Sequence, residues 1–85
     1  MIQRWFRVRG LAALGAAAKG ARESAGLSQS ELADLISSSR PTLSRLERGV
    51  PVTTAVLTKT LASAGYEIYV IPRDAQVSVA FDDAH

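Results

Sequence analysis

LSQSELADLISSSRPTLSRLERG, running from Leu27 to Gly49, is the stretch whose reading decides how the rest of the chain folds. Ser28 followed three residues later by Glu31 has the spacing of a capping box, in which each side chain satisfies a free backbone donor at a helix start. Leu32, Leu35 and Ile36 then fall on one helical face, so a short helix is expected over about Gln29 to Ile36. Ser37, Ser38 and Ser39 break that periodicity. Ser39 is placed to cap a second helix with Pro41 in its first turn, where a missing N–H is no loss, and that helix runs to Arg48. Leu43 and Leu46 point inward, and Gly49 suits the left-handed residue that ends a helix. Arg40, Pro41, Ser44, Arg45 and Arg48 are left facing outward.

Working outward, the alanine-rich segment from Leu11 to Ala25 favours helix, with Leu11, Leu14, Ala18, Ala21 and Ala25 recurring at three or four residues and Gly26 closing it. Gly15, Ala17 and Ala18 permit close helix approach, while Gly20 weakens the helix by up to about 1 kcal/mol relative to alanine. Downstream, Thr53 caps a helix from Thr54 to about Ala64 whose core side is Val56, Leu57, Leu61 and Ala64, and Gly65 stops it. The period then changes from helical to alternating. Tyr66, Ile68 and Val70 against Glu67, Tyr69 and Ile71 predict a strand ended by Pro72. Val77, Val79 and Phe81 alternate more weakly and are either a hairpin partner for that strand or an unpaired tail. The fold class expected is therefore mainly α. A four-helix domain over residues 11–65 follows an arm at 1–10 and precedes a C-terminal strand region for dimerisation at 66–81 and a disordered tail at 82–85.

Composition limits the alternatives. Eighty-five residues allow one domain with a modest core, and chains of this size often gain stability by dimerising. With no cysteine there are neither disulfides nor thiolate metal sites. The formal charge is +2, but nine of the ten basic residues and four of the eight acidic ones lie in residues 1–60, which makes that part +5 and the remainder −3. Such asymmetry fits a basic face for a polyanion and a less basic end with another use. The opening MIQRWFRVRGLAALGAAA has the arginines, short apolar run and small residues of a signal peptide. Cleavage near Ala18 would remove half of the first helix, and the apolar run is too short to span a membrane, so no membrane role and a cytoplasmic location are expected. Arg4, Arg7 and Arg9 have no acidic neighbour in the arm, which leaves two readings: an arm along DNA phosphates, or a strand whose Trp5 and Phe6 pack on the domain.

The residues quoted from Leu27 to Gly49 resemble the repressor-type helix-turn-helix of the Xre family. The likeness is carried by Leu27-Ser28-Gln29, Glu31-Leu32-Ala33, Ser39-Arg40 and Leu46-Glu47-Arg48-Gly49, and it departs in the turn, where Ser37 and Ser38 replace a glycine and a buried valine. The resemblance implies sequence-specific binding of double-stranded operator DNA and an ion pair between Arg22 and Glu47. The second helix would enter the major groove, with Arg40, Pro41, Ser44 and Arg45 as base readers. Ser28 and Gln29, at the start of the first helix of the motif, would meet a phosphate, as would Ser39, Thr42 and Arg48. For Thr42 a hydroxyl bonded inside its own helix is the equal alternative.

The helix-turn-helix followed by a strand ending at Pro72-Arg73 also resembles the antitoxins of Hip-type toxin-antitoxin modules. That second likeness implies a homodimer that represses its own operon and holds a kinase-like toxin, with Tyr66, Ile68, Tyr69, Val70 and Ile71 in the dimer strand. A stand-alone dimeric regulator without a toxin is the alternative. No catalytic constellation competes: the single histidine is His85, no glycine pattern cradles a phosphate, and the glutamates have capping or pairing roles. No enzyme activity, cofactor or metal is expected.

Overall fold

The computed structural model describes residues 4–82, and the chain between them forms four helices. These are α1 (Leu11–Ser24), α2 (Gln29–Leu35), α3 (Arg40–Glu47) and α4 (Thr54–Ser63). Three of the starts are fixed by side chains. The hydroxyls of Ser28, Ser39 and Thr53 each accept from the backbone N–H three residues on, and Glu31 returns a bond to the Ser28 N–H to complete the capping box. At the far end of α3, Gly49 takes φ +79, a left-handed conformation that would strain any other L-residue apart from asparagine.

The core is built where the helices cross. Leu32, Ala33 and Ile36 of the α2 region meet Leu43 of α3, with Leu27 and Val56 packed against them. Ala21 of α1 meets Leu61 and Ala64, flanked by Leu57 and Tyr66. Two inward assignments fail for reasons of angle and size. Leu35 is 62% exposed. At 100° per residue the buried trio of Leu32, Ala33 and Ile36 centres roughly 100° away from it, outside the apolar stripe. In α1 the buried residues are Gly15, Ala17, Ala18, Gly20 and Ala21, while Leu11 is 52% exposed, so the helix is covered on more than one side by means of its smallest residues.

The C-terminal region departs most from expectation. No strand is formed among the described residues, neither over 66–71 nor as a hairpin with 77–81. A strand exists only through a ladder to a neighbour, and the backbone groups of residues 67–71 make no backbone hydrogen bond within the described chain. Neither alternating face is covered: Tyr66 is half-buried, but Ile68, Tyr69, Val70 and Ile71 are exposed, Val70 almost fully at 96%. The arm is not a strand either. Its Phe6 ring lies 5.9 Å from that of Tyr66, tilted by 50°, and the Arg4 guanidinium stands 4.8 Å above the Phe6 ring, a cation–π contact, while Trp5 remains exposed. The expected disordered tail, apart from Asp82, lies outside the described residues, as do residues 1–3 of the arm. No described helix is long and apolar enough to cross a membrane.

Candidate nucleic-acid interface

The surface of α3 has two sides set by its spacing. Leu43 and Leu46 are buried, which turns Arg40, Pro41, Arg45 and Arg48 to solvent, with Ser44 half-buried between them. Pro41, Ser44, Arg45 and Arg48 stand at offsets of three, four and seven, one continuous stripe on a helix. Three guanidinium groups on that side meet no carboxylate of their own helix, because the acidic residue of α3, Glu47, is turned inward.

Glu47 is held by a fork. Arg22 donates from Nε to Oε2 at 2.6 Å and from Nη2 to Oε1 at 3.0 Å, and its Nη1 donates to the Leu27 carbonyl at 2.8 Å. Gln29 Nε2 donates to the same carboxylate at 3.1 Å. One acidic side chain at the end of α3 is thus tied to α1, to the α1–α2 loop and to the first residue of α2. With side-chain exposures of 12% for Arg22 and 5% for Glu47, the pair is largely shielded from water. Burial pushes the Glu47 carboxyl up, but the hydrogen bonds from Arg22 and Gln29, with the charges of Arg22 and Lys19, outweigh this and hold it below the usual glutamate range. Arg22 is raised, first by the hydrogen bond to Glu47. Glu31 is lowered by accepting the Ser28 backbone N–H, so its charge is directed at its own helix start.

The residues assigned from sequence to phosphate contact are placed as follows. Ser28 is exposed, with its hydroxyl committed to the Glu31 N–H, and Gln29 has its amide nitrogen on Glu47. Ser39 and Thr42 share a hydroxyl–hydroxyl bond of 2.9 Å in the first turn of α3, the local partner left as one alternative for Thr42. The bond from Gln29 and the reach of Arg22 to the Leu27 carbonyl had no separate signal in the sequence. Nor did the depth of one glycine. A Cβ built on Gly15 would stand 2.7 Å from the carbonyl oxygens of both Leu46 and Glu47, so α1 rests directly on the backbone at the end of α3. The turn between α2 and α3 places Ser37, where the resemblance has glycine, at φ +55 with its side chain exposed.

Among solved structures, the chain is similar to the clp gene regulator ClgR from Corynebacterium glutamicum, with 35% sequence identity and a TM-score of 0.61. That likeness covers 66% of this chain and spans 61% of the regulator's. No curated protein matches. The sequence pattern of the helix-turn-helix family matches residues 19–62, which take in the C-terminal part of α1, all of α2 and α3 and nearly all of α4. With 44 of its 85 residues under that pattern, the chain belongs to the helix-turn-helix family.

Proposed function

We propose that this protein is a sequence-specific DNA-binding transcriptional regulator whose α3 reads an operator in the major groove. The observation that carries the reading is the stripe of Arg40, Pro41, Ser44, Arg45 and Arg48 on a helix whose one carboxylate is neutralised from behind by Arg22. An exposed arginine on such a helix makes the bidentate contact to guanine, while Pro41 suits a thymine methyl. Ser39, Thr42 and Arg48 flank these readers at the backbone. Arg40→Ala and Arg45→Ala are each expected to weaken operator binding by about 1–3 kcal/mol and to relax preference at one base pair. An unchanged ratio of operator to random-DNA affinity for Arg45→Ala would remove that arginine as a base reader.

The regulator acts as a homodimer on an inverted repeat, with residues 66–71 of two copies pairing across a two-fold axis. Support comes from the backbone of residues 67–71, which has no backbone partner within the described chain, and from the outward Val70, which a second copy would cover. Sedimentation of a chain ending after Arg73 should still show a dimer, and Ile68→Pro a monomer. A monomeric truncated chain beside a dimeric full chain would move the interface to residues 77–81.

In the finer reading the regulator is the antitoxin of a module whose toxin is kinase-like, a reading that rests on the sequence alone, in the alternating segment 66–71 that ends at Pro72-Arg73. The likeness to a clp gene regulator fits equally the alternative, a stand-alone regulator without a toxin. Copurification with a kinase-like protein encoded next to it decides between the two.

A further inference from the structure

A groove of about 1190 Å³ lies between the arm and the C-terminal segment, floored by Leu14, Leu57 and Leu61 and walled by Trp5, Val79 and Phe81 among others. Pockets for small ligands are typically about 300–1,000 Å³, so this one has room for a stretch of polypeptide. Its charge is one-sided. Among the described residues, Arg4, Arg7, Arg9 and Arg73 line it, against the carboxylate of Glu67. Arg7, Arg9 and Arg73 form no ion pair with any described residue.

The groove is also turned away from the reading helix. On α1 the backbone of α3 covers Gly15, whereas the Phe6 ring of the arm covers Gly20, at 2.5 Å from where its Cβ would be. Five residues along an α-helix rotate the surface by about 140°, so α3 and the arm occupy nearly opposite sides of α1. The part of the arm at Phe6 and Arg4 is thus on the side of α1 away from α3. A second copy of the chain seated in the groove would bring four more arginines against the first four. Of the 66–71 segment, Tyr66, Glu67, Ile68, Tyr69 and Ile71 line the groove and Val70, its most exposed residue, does not, so a second copy paired along that segment would border the groove.

From this combination of an apolar floor, an arginine rim and a position behind α1, we propose that the groove docks an acidic amphipathic segment of a partner protein. Apolar side chains of the segment lie on Leu57, Leu61 and Phe81, and its carboxylates meet Arg7, Arg9 and Arg73. Opposite charge at the rim steers the encounter and sets orientation, and the apolar floor supplies the area buried. The inference goes beyond the DNA reading and does not depend on it.

The test uses the full chain and a fluorescent peptide with leucine at helical spacing on one face and glutamate on the other. Polyglutamate of equal charge and vesicles of phosphatidylglycerol serve as comparisons. Saturable peptide binding is expected, with anisotropy that is unaffected by operator DNA and affinity that falls about tenfold in an Arg7→Ala/Arg9→Ala double variant. Amide shifts on peptide addition should map to residues 57–61 and 77–81 and spare α3. Because Arg7 and Arg9 are exposed, the double variant should keep the wild-type far-ultraviolet spectrum and operator affinity. Absence of peptide binding would overturn the proposal, as would equal affinity for polyglutamate, preferential binding to the vesicles, or loss of operator affinity in the double variant, which would assign the arm to DNA.

Discussion

Replacing Gly15 by alanine sets helix propensity against the spacing of two helices. Alanine in the middle of an exposed helix is worth about 0.5–1 kcal/mol over glycine, so on propensity alone Gly15→Ala would stabilise α1. The structure opposes this. The new methyl carbon would stand 2.7 Å from the Leu46 and Glu47 oxygens and 2.8 Å from the Gly49 nitrogen, where ordinary contact begins at 3.4 Å, so the backbones must part by about 0.7 Å. All three atoms are backbone and cannot rotate away as a side chain would. Overpacking of this kind typically costs about 1–3 kcal/mol, which against the propensity gain leaves a net loss centred on about 1–1.5 kcal/mol. For a domain of this size that is a fall in Tm of about 4–12 °C. The displaced segment also carries Glu47, so operator binding should weaken even though no DNA-facing side chain has changed. Gly20→Ala is the control: its methyl meets the ring of Phe6, a side chain able to move, and its stability should change less. Urea denaturation of the two variants decides the matter. A Gly15→Ala protein as stable as the wild type would show that α1 and α3 are not held at the spacing described.

Three other outcomes follow from single groups. Ser37→Gly should raise stability by about 0.5–1 kcal/mol, because φ +55 strains serine and not glycine; a lower Tm would mean the hydroxyl has a role in the turn. Thr60 is fully buried in α4 and its hydroxyl has no hydrogen-bond partner in the described chain, so the isosteric Thr60→Val should be neutral or stabilising by about 1 kcal/mol, and a marked loss would reveal a partner for the hydroxyl. The Glu47 carboxyl is held below its ordinary pKa, so its contribution to stability is complete above the unfolded value of about 4.3 and is lost as pH falls through the lower folded value. The stability difference between the wild type and Glu47→Gln should therefore be constant near neutrality and shrink below about pH 4. A difference that persisted undiminished at pH 3 would remove the charge of Glu47 from the account.

What was legible from sequence is what short-range chemistry determines. Ser28 with Glu31, Ser39 ahead of Pro41, and Thr53 ahead of Thr54 mark helix starts within a few residues of chain, and the structure has helices at each of them. The outward stripe of α3 follows from the positions of Leu43 and Leu46 in the same way. The coupling of Arg22 to Glu47 spans 25 residues and came from the family resemblance, not from spacing. The buried side of α1 was hidden because small residues are compatible with burial and exposure alike, and the tertiary neighbours of Gly15 and Gly20 decide it. Alternation in residues 66–71 describes a segment able to be a strand, but a strand also needs a partner, which periodicity cannot provide.

The carboxylate of Glu47 has a consequence for how the domain meets a ligand. Through it the end of α3, the start of α2 and the α1–α2 loop form one joint, so α3 has no independent hinge at that end. A surface assembled in advance does not have to be ordered during association, which lowers the conformational entropy lost on binding. On the proposed reading, sequence variation along Arg40, Pro41, Ser44 and Arg45 would change which DNA is read while the angle at which α3 is presented stays fixed, separating what is recognised from how it is approached.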